Sequence, residues 1–173
     1  MKTLIVVDMQ NDFIDGALGT KEAQAIVPNV KKKIDEYVKR GDHIIFTQDT
    51  HFVDYLDSQE GKLLPVKHCI YGSDGWQIVP GIYKEGCKVF DKPTFGSLEL
   101  VEYLALQSER EEIGSVTLIG VCTDICVVSN AMLIKARFPE MEVIVDSSAC
   151  AGVTPDTHNA ALTTMKMCQI IIK

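Results

Sequence analysis

Short blocks that are apolar at nearly every position alternate along this chain with longer stretches in which apolar residues recur every three or four. Residues 3–7 are the first such block and predict a buried strand. Residues 24–40 place Ile26, Val30, Ile34 and Val38 on one face and predict a helix that stops at Gly41. Further strands are predicted at 43–48, 87–91, 115–120, 141–146 and 169–172. Helices are predicted at 97–106, at 124–137, and from the cap Thr154-Pro155 to about Met167. Fully apolar strands separated by helices imply a parallel sheet covered on both faces. The expectation is an α/β fold of three layers (αβα), with a doubly wound, six-stranded parallel sheet in the order 3-2-1-4-5-6. Residues 49–86 break the rhythm, and so long an irregular connection in a compact fold is usually functional.

Length and charge narrow the function. A chain of 173 residues predicts one domain spanning 1–173. The formal net charge of −7 argues against nucleic acid and anionic membranes as partners. The opening apolar run ends at Asp8, too short for a secretory signal. No stretch is long enough to span a bilayer. A cytoplasmic location is therefore expected, with the six cysteines as thiols. No CxxC pair points to a cysteine zinc site.

The chemistry-bearing residues fall where strands end. Cys126 follows the fourth strand in Leu118-Ile119-Gly120-Val121-Cys122-Thr123-Asp124-Ile125-Cys126. A cap at Thr123 or Asp124 would put its thiol in the first turn of a helix. Unpaired N–H groups and the helix dipole would there favour the nucleophilic thiolate. Asp8 ends the first strand, Asp49 and His51 follow the second, and Lys92 follows the third. In open α/β sheets, ligands bind beyond the carboxyl ends of the strands, at the switch point between β1 and β4 in this order. A carboxylate, an amine and a thiol meeting there could pass a proton and form a covalent intermediate. Asp49, His51, Glu60 and His68 are nitrogen and oxygen ligands suited to one divalent ion, zinc first, with iron or manganese as alternatives. His43 and His158 read as structural or exposed.

These residues resemble the isochorismatase-like cysteine hydrolases, and within them the nicotinamidase/pyrazinamidase family, over nearly the whole chain. Val7-Asp8-Met9-Gln10-Asn11-Asp12-Phe13 is similar to that family's D-x-Q-x-D-F start, and Asp49-Thr50-His51 to its metal-binding D-x-H. Pro65-Val66-Lys67-His68-Cys69 resembles its P-P-H-C segment. Lys92-Pro93-Thr94-Phe95-Gly96-Ser97 resembles its lysine segment, with Gly96 inserted or substituted. Gly120–Val127 resembles its G-x-x-T-(D/E)-x-C-V nucleophile turn. The resemblance implies Asp8 as general base, Lys92 as third triad member and Cys126 as nucleophile. It implies a cis peptide before Cys122, an oxyanion hole from the N–H groups of Cys122 and Cys126, and Phe13 against the substrate ring. It implies an amidase that converts nicotinamide to nicotinate and ammonia in NAD salvage, with metal bound and as a homo-oligomer. The chain departs from the family pattern in three places. The histidine that many members use as third metal ligand is absent, leaving Glu60, with Asp57 as the fallback. Leu64 stands where an aromatic is common. Val66-Lys67 replaces the paired prolines. Three other readings compete: a metal-independent ureido- or carbamoyl-amide hydrolase of the same superfamily, a receiver-like phosphoacceptor domain built on Asp49 and Lys92-Pro93, and a non-catalytic relative that keeps the fold, against which the intact Asp8, Lys92 and Cys126 set argues.

Overall fold

The computed structural model describes residues 2–110 and 113–173. In chain order the strands are β1 (Lys2–Val7), β2 (His43–Asp49), β3 (Lys88–Lys92), β4 (Ser115–Val121), β5 (Glu142–Ala151) and β6 (Ile171–Ile172). The helices are α1 (Asn11–Ile14), α2 (Lys21–Arg40), α3 (Gln59–Leu63), α4 (Leu98–Ser108), α5 (Val128–Arg137) and α6 (Pro155–Met167). All pairings are parallel and the order is β3-β2-β1-β4-β5-β6, as expected. That order separates the chain from the receiver-like 2-1-3-4-5 arrangement.

The central strand shows why the apolar blocks are continuous. Leu4 and Val6 join the core under α2, with Ile26, Val30 and Ile34. Ile5 and Val7 join the opposite core, with Leu104 of α4, Ile134 of α5 and Met165 of α6. With helices on both faces, side chains pointing either way along β1 must be apolar. The helix expected at 24–40 begins three residues earlier, because the Thr20 hydroxyl accepts the Ala23 N–H and caps it. It stops at Gly41, whose φ of 68° suits glycine. α6 opens on a reciprocal Thr154–Thr157 capping box with Pro155 at its first position.

Two departures bear on the site. β5 runs on to Ala151, five residues beyond its expected end, because its tail pairs past a bulge with Gly120 and Val121. The helix expected at 124–137 is split into a π turn at Thr123–Val127 and then α5. Gly120 is required where β4 passes β1. Its φ is 115°, and a Cβ there would lie 2.1 Å from the Val7 carbonyl oxygen. No described helix is long and apolar enough to cross a membrane.

Candidate active site

Asp8, Lys92 and Cys126 meet at the carboxyl edge of the sheet, all three essentially buried. Asp8 has φ 47°, a left-handed conformation that aspartate tolerates better than most residues. Its N–H is held by the Thr47 carbonyl at 3.2 Å, and the Thr47 hydroxyl donates to Asp8 Oδ1 at 2.6 Å. Lys92 Nζ lies 2.6 Å from Asp8 Oδ2 and 3.3 Å from Cys126 Sγ. It also reaches Asp49 Oδ1 at 3.3 Å and the Thr94 carbonyl at 3.2 Å. One ammonium therefore touches a carboxylate, the thiol and a second carboxylate.

The pull toward thiolate expected of a helix start is outweighed here. Burial, then the Asp8 charge, raises the Cys126 pKa well above that of an ordinary thiol, and Lys92 offsets only part of this. Thr123 and Asp124 do not cap the turn through their side chains either. The Asp124 carboxylate accepts the Val153 N–H, and the Thr123 hydroxyl pairs with His158. Desolvation outweighs the first-turn field here. The same burial raises the Asp8 pKa, despite Lys92, and makes that carboxylate a better proton acceptor. Lys92 moves further into its charged range: burial opposes this, but Asp8, Cys126 and Asp49 together outweigh it.

Asp49, His51 and His68 form the second cluster, with potential ligand atoms within 4.8 Å of one another. His51 Nε2 lies 3.0 Å and His68 Nε2 3.5 Å from Asp49 Oδ2. His68 Nδ1 is held by the Val66 carbonyl at 2.8 Å, which turns Nε2 toward the cluster. His51 Nε2 is buried and makes no hydrogen bond. A buried imidazole nitrogen with no well-aligned hydrogen bond, facing a carboxylate and a second imidazole, fits a metal ligand set. Glu60 Oε1 completes the ring at 3.6 Å from His51 Nε2 and 3.8 Å from His68 Nε2. Asp57, the fallback, is exposed on the 3₁₀ turn at Tyr55–Asp57. Burial raises the Asp49 pKa, but the two imidazoles and Lys92 outweigh it and hold Asp49 well below the usual carboxylate range. Tyr55 packs against both histidine rings, and burial pushes its phenol up to about 12.

Both clusters open on one cavity of about 640 Å³. Asp49, Glu60, His68, Cys122 and Cys126 line it, together with an apolar wall that includes Phe13, Leu64 and Phe95. The Phe13 ring lies 5.6 Å from that of His68. The peptide between Val121 and Cys122 is cis, as the family resemblance implied.

Four supporting residues escaped the sequence reading. Gln10 is fully buried. Its side chain accepts the Asp49 N–H at 2.7 Å and donates to the Asp49 and Trp76 carbonyls. Thr47 holds Asp8. Asn130 donates to the Cys126 carbonyl at 2.8 Å and accepts the Ser97 N–H at 2.9 Å, joining the nucleophile turn to the lysine segment. His158, read as structural or exposed, is half-buried and pairs with Thr123. Two of these carried a sequence signal: Gln10 stands in the D-x-Q-x-D-F start, and Cys126 and Asn130 have the i, i+4 spacing of one helix face. A Cβ at Gly96 would lie 2.6 Å from Leu133 Cδ1, so a larger residue there would have to push that side chain end aside.

A three-layer fold carrying an aspartate, a lysine and a cysteine at or beyond the carboxyl ends of β1, β3 and β4 defines the class. The isochorismatase domain family model matches residues 2–173, and the chain belongs to that family. Among its relatives is the nicotinamidase of Escherichia coli, 27% identical over 96% of this chain and 90% of that protein. The crystal structure of Pyrococcus horikoshii pyrazinamidase in complex with zinc superposes with a TM-score of 0.85. It is 28% identical, over 99% of this chain and 98% of that one. The N-carbamoylsarcosine amidase of Thermoplasma acidophilum superposes with a TM-score of 0.80, at 28% identity over 99% and 95% of the two chains.

Proposed function

We propose that this protein is a nicotinamidase with pyrazinamidase activity, hydrolysing small aromatic amides to the acid and ammonia through a thioester on Cys126. The observation that carries this reading is the single Lys92 ammonium shared by Asp8, Cys126 and Asp49, with Asp49 leading into the histidine pair in the same cavity. Asp8 takes the thiol proton as Cys126 Sγ attacks the carboxamide carbon. Lys92, beside both groups, holds the charge as it moves from carboxylate to sulfur. The N–H groups of Cys122 and Cys126 would receive the developing oxyanion, where such donors act most strongly. The C–N bond breaks, and ammonia leaves with the proton from Asp8. Water then attacks the thioester carbon, Asp8 accepts its proton and passes it to the departing Cys126 sulfur as the C–S bond breaks, and the acid is released. Asp49, His51 and His68, with Glu60 beside them, would hold a divalent metal, with zinc the best match to these donors. Its contribution when bound is Lewis acidity toward a ring nitrogen or a water. Phe13 supplies an aromatic face for the ring.

The carbamoyl-amide reading has less support. Substrates such as N-carbamoylsarcosine carry a carboxylate, and recognising one calls for a free cation. The described residues lining the cavity include Asp49 and Glu60 but no lysine or arginine. A neutral aromatic amide suits that lining better.

The test is ammonia release from nicotinamide by metal-replete protein, beside Cys126→Ala and beside N-carbamoylsarcosine. Wild type should turn over nicotinamide, and Cys126→Ala should lose activity by ~10³-fold or more while keeping its fold. Wild-type rates in Cys126→Ala, or turnover of the carbamoyl substrate alone, would overturn the reading.

A further inference from the structure

The nucleophile turn is latched to the last helix, and to the loop that leads into it, by two contacts that the chemistry above does not use. The Asp124 carboxylate accepts the Val153 N–H at 3.1 Å. Thr123 Oγ1 and His158 Nδ1 form a 2.8 Å hydrogen bond. Thr123 is fully buried, and it opens the π turn that ends in Cys126-Val127. That turn folds back on its own start, with the Ile125 and Val127 N–H groups at 3.1 and 3.0 Å from the Cys122 carbonyl. Its side of the cavity therefore consists of Cys122, Ile125 and Cys126.

His158 is itself held firmly. It lies in the first turns of α6, where its N–H bonds the Thr154 carbonyl at 2.9 Å, and Thr154 anchors the capping box. Gly152 lies against it: a Cβ at Gly152 would come within 2.8 Å of His158 Cβ and 2.9 Å of its Cα. The backbone that delivers Val153 to the cavity wall thus needs a glycine to pass the first turn of α6. A merely space-filling histidine would not require its ring nitrogen to satisfy a buried hydroxyl in the reacting turn.

We propose that His158 is a positioning residue for the nucleophile. Through Thr123 Oγ1 it fixes the turn that aims Cys126 Sγ and the backbone N–H groups beside it at one point. This rests on the amidase reading for its kinetic consequence, but not for its geometry. A turn released by about 1 Å keeps substrate binding and loses attack geometry, because near-attack placement contributes to the transition state and not to affinity.

The experiment compares His158→Ala, His158→Asn, Thr123→Val and the Thr123→Val/His158→Ala double variant. Asparagine places an amide group where Nδ1 stood and can renew the bond. His158→Ala and Thr123→Val should each lower kcat about tenfold with KM within about twofold of wild type. The double variant should cost no more than either single change. His158→Asn should recover kcat to within about threefold of wild type. A rate unchanged in His158→Ala, an additive double variant, or an asparagine no better than alanine would each overturn the proposal. If His158→Ala does not fold, Thr123→Ser against Thr123→Val carries the same contrast, with serine expected to retain the rate. Alkylation of Cys126 by iodoacetamide, followed by mass spectrometry of its peptide, is the second readout. It should slow at least threefold in the alanine and valine variants and recover in His158→Asn, including on a protein that hydrolyses no nicotinamide. A lost amidase reading and a lost positioning role therefore give different results.

Discussion

Asp8 and Asp49 end neighbouring strands and both touch the Lys92 ammonium, yet the protein treats them in opposite ways. Asp8 has one hydroxyl donor and one ammonium for a fully buried carboxylate, and desolvation wins, so its affinity for a proton rises. Asp49 is almost as deeply buried, but two imidazoles and the ammonium surround it, and its affinity for a proton falls. The difference suits their proposed tasks. A base that must take a proton from a thiol needs some of its hydration removed and not replaced. A metal ligand must stay ionised. Burial alone therefore does not predict the behaviour of a carboxylate; the count of positive and donating neighbours decides it.

Lys92 joins the two, so removing it gives the largest expected effect. In Lys92→Met both carboxylates remain buried, with the shared positive charge gone. Unfolding free energy should fall by about 3–5 kcal/mol, the usual cost of leaving one side of a buried pair uncompensated. Turnover should vanish. Urea unfolding of the metal-free variant checks this. A loss below about 1 kcal/mol would mean that the ammonium does not serve both carboxylates.

Replacing each carboxylate in turn splits the pair. A raised native pKa means that ionised Asp8 opposes folding at neutral pH, and its cost is relieved as pH falls toward the ordinary 3.8. A lowered native pKa means that ionised Asp49 supports folding above 3.8, with that support lost as pH falls through the native value. Asp8→Asn should therefore be inactive yet as stable as wild type at pH 7, or roughly 1 kcal/mol more stable. Asp49→Asn should lose about 1–3 kcal/mol and its metal affinity. Equal losses in metal-free urea titrations would erase the distinction between the two.

Much of this was legible in the sequence. Continuous apolar blocks reported a doubly covered sheet, and strand ends reported Asp8, Asp49, Lys92 and Cys126, because period and position along a strand are local properties. What was missed is non-local. Gln10 finds Trp76 across 66 residues, Asn130 finds Phe95 across 35, and His158 finds Thr123 across 35. The thiol was misjudged for a related reason. A helix start is visible in a dozen residues, whereas the depth of burial that outweighs it comes from strands and loops far along the chain. The π turn also replaced the expected first turn of helix, and Thr123 and Asp124 spend their side chains on His158 and on the Val153 N–H instead of on capping.

Thr47 offers the smallest and most selective change, because it touches only the Asp8 side. Its hydroxyl donates to Asp8 Oδ1, while the Asp8 N–H is shared between its backbone carbonyl at 3.2 Å and its hydroxyl oxygen at 3.3 Å. Thr47→Val keeps shape and the backbone bond and removes the hydroxyl donor. That donor lowers the Asp8 pKa, so its loss raises a value already high. Asp8 must be ionised to accept the thiol proton, so the acid limb of kcat/KM should move to higher pH, by roughly one unit for the loss of one hydrogen bond to a charged acceptor. Activity well above the limb should change little, and metal affinity should not change, since Asp49 keeps Gln10, both imidazoles and Lys92. A limb that stays in place would show that a group other than Asp8 controls it. A shift accompanied by loss of metal would show that the two carboxylates are more tightly joined through Lys92 than their opposite proton affinities imply.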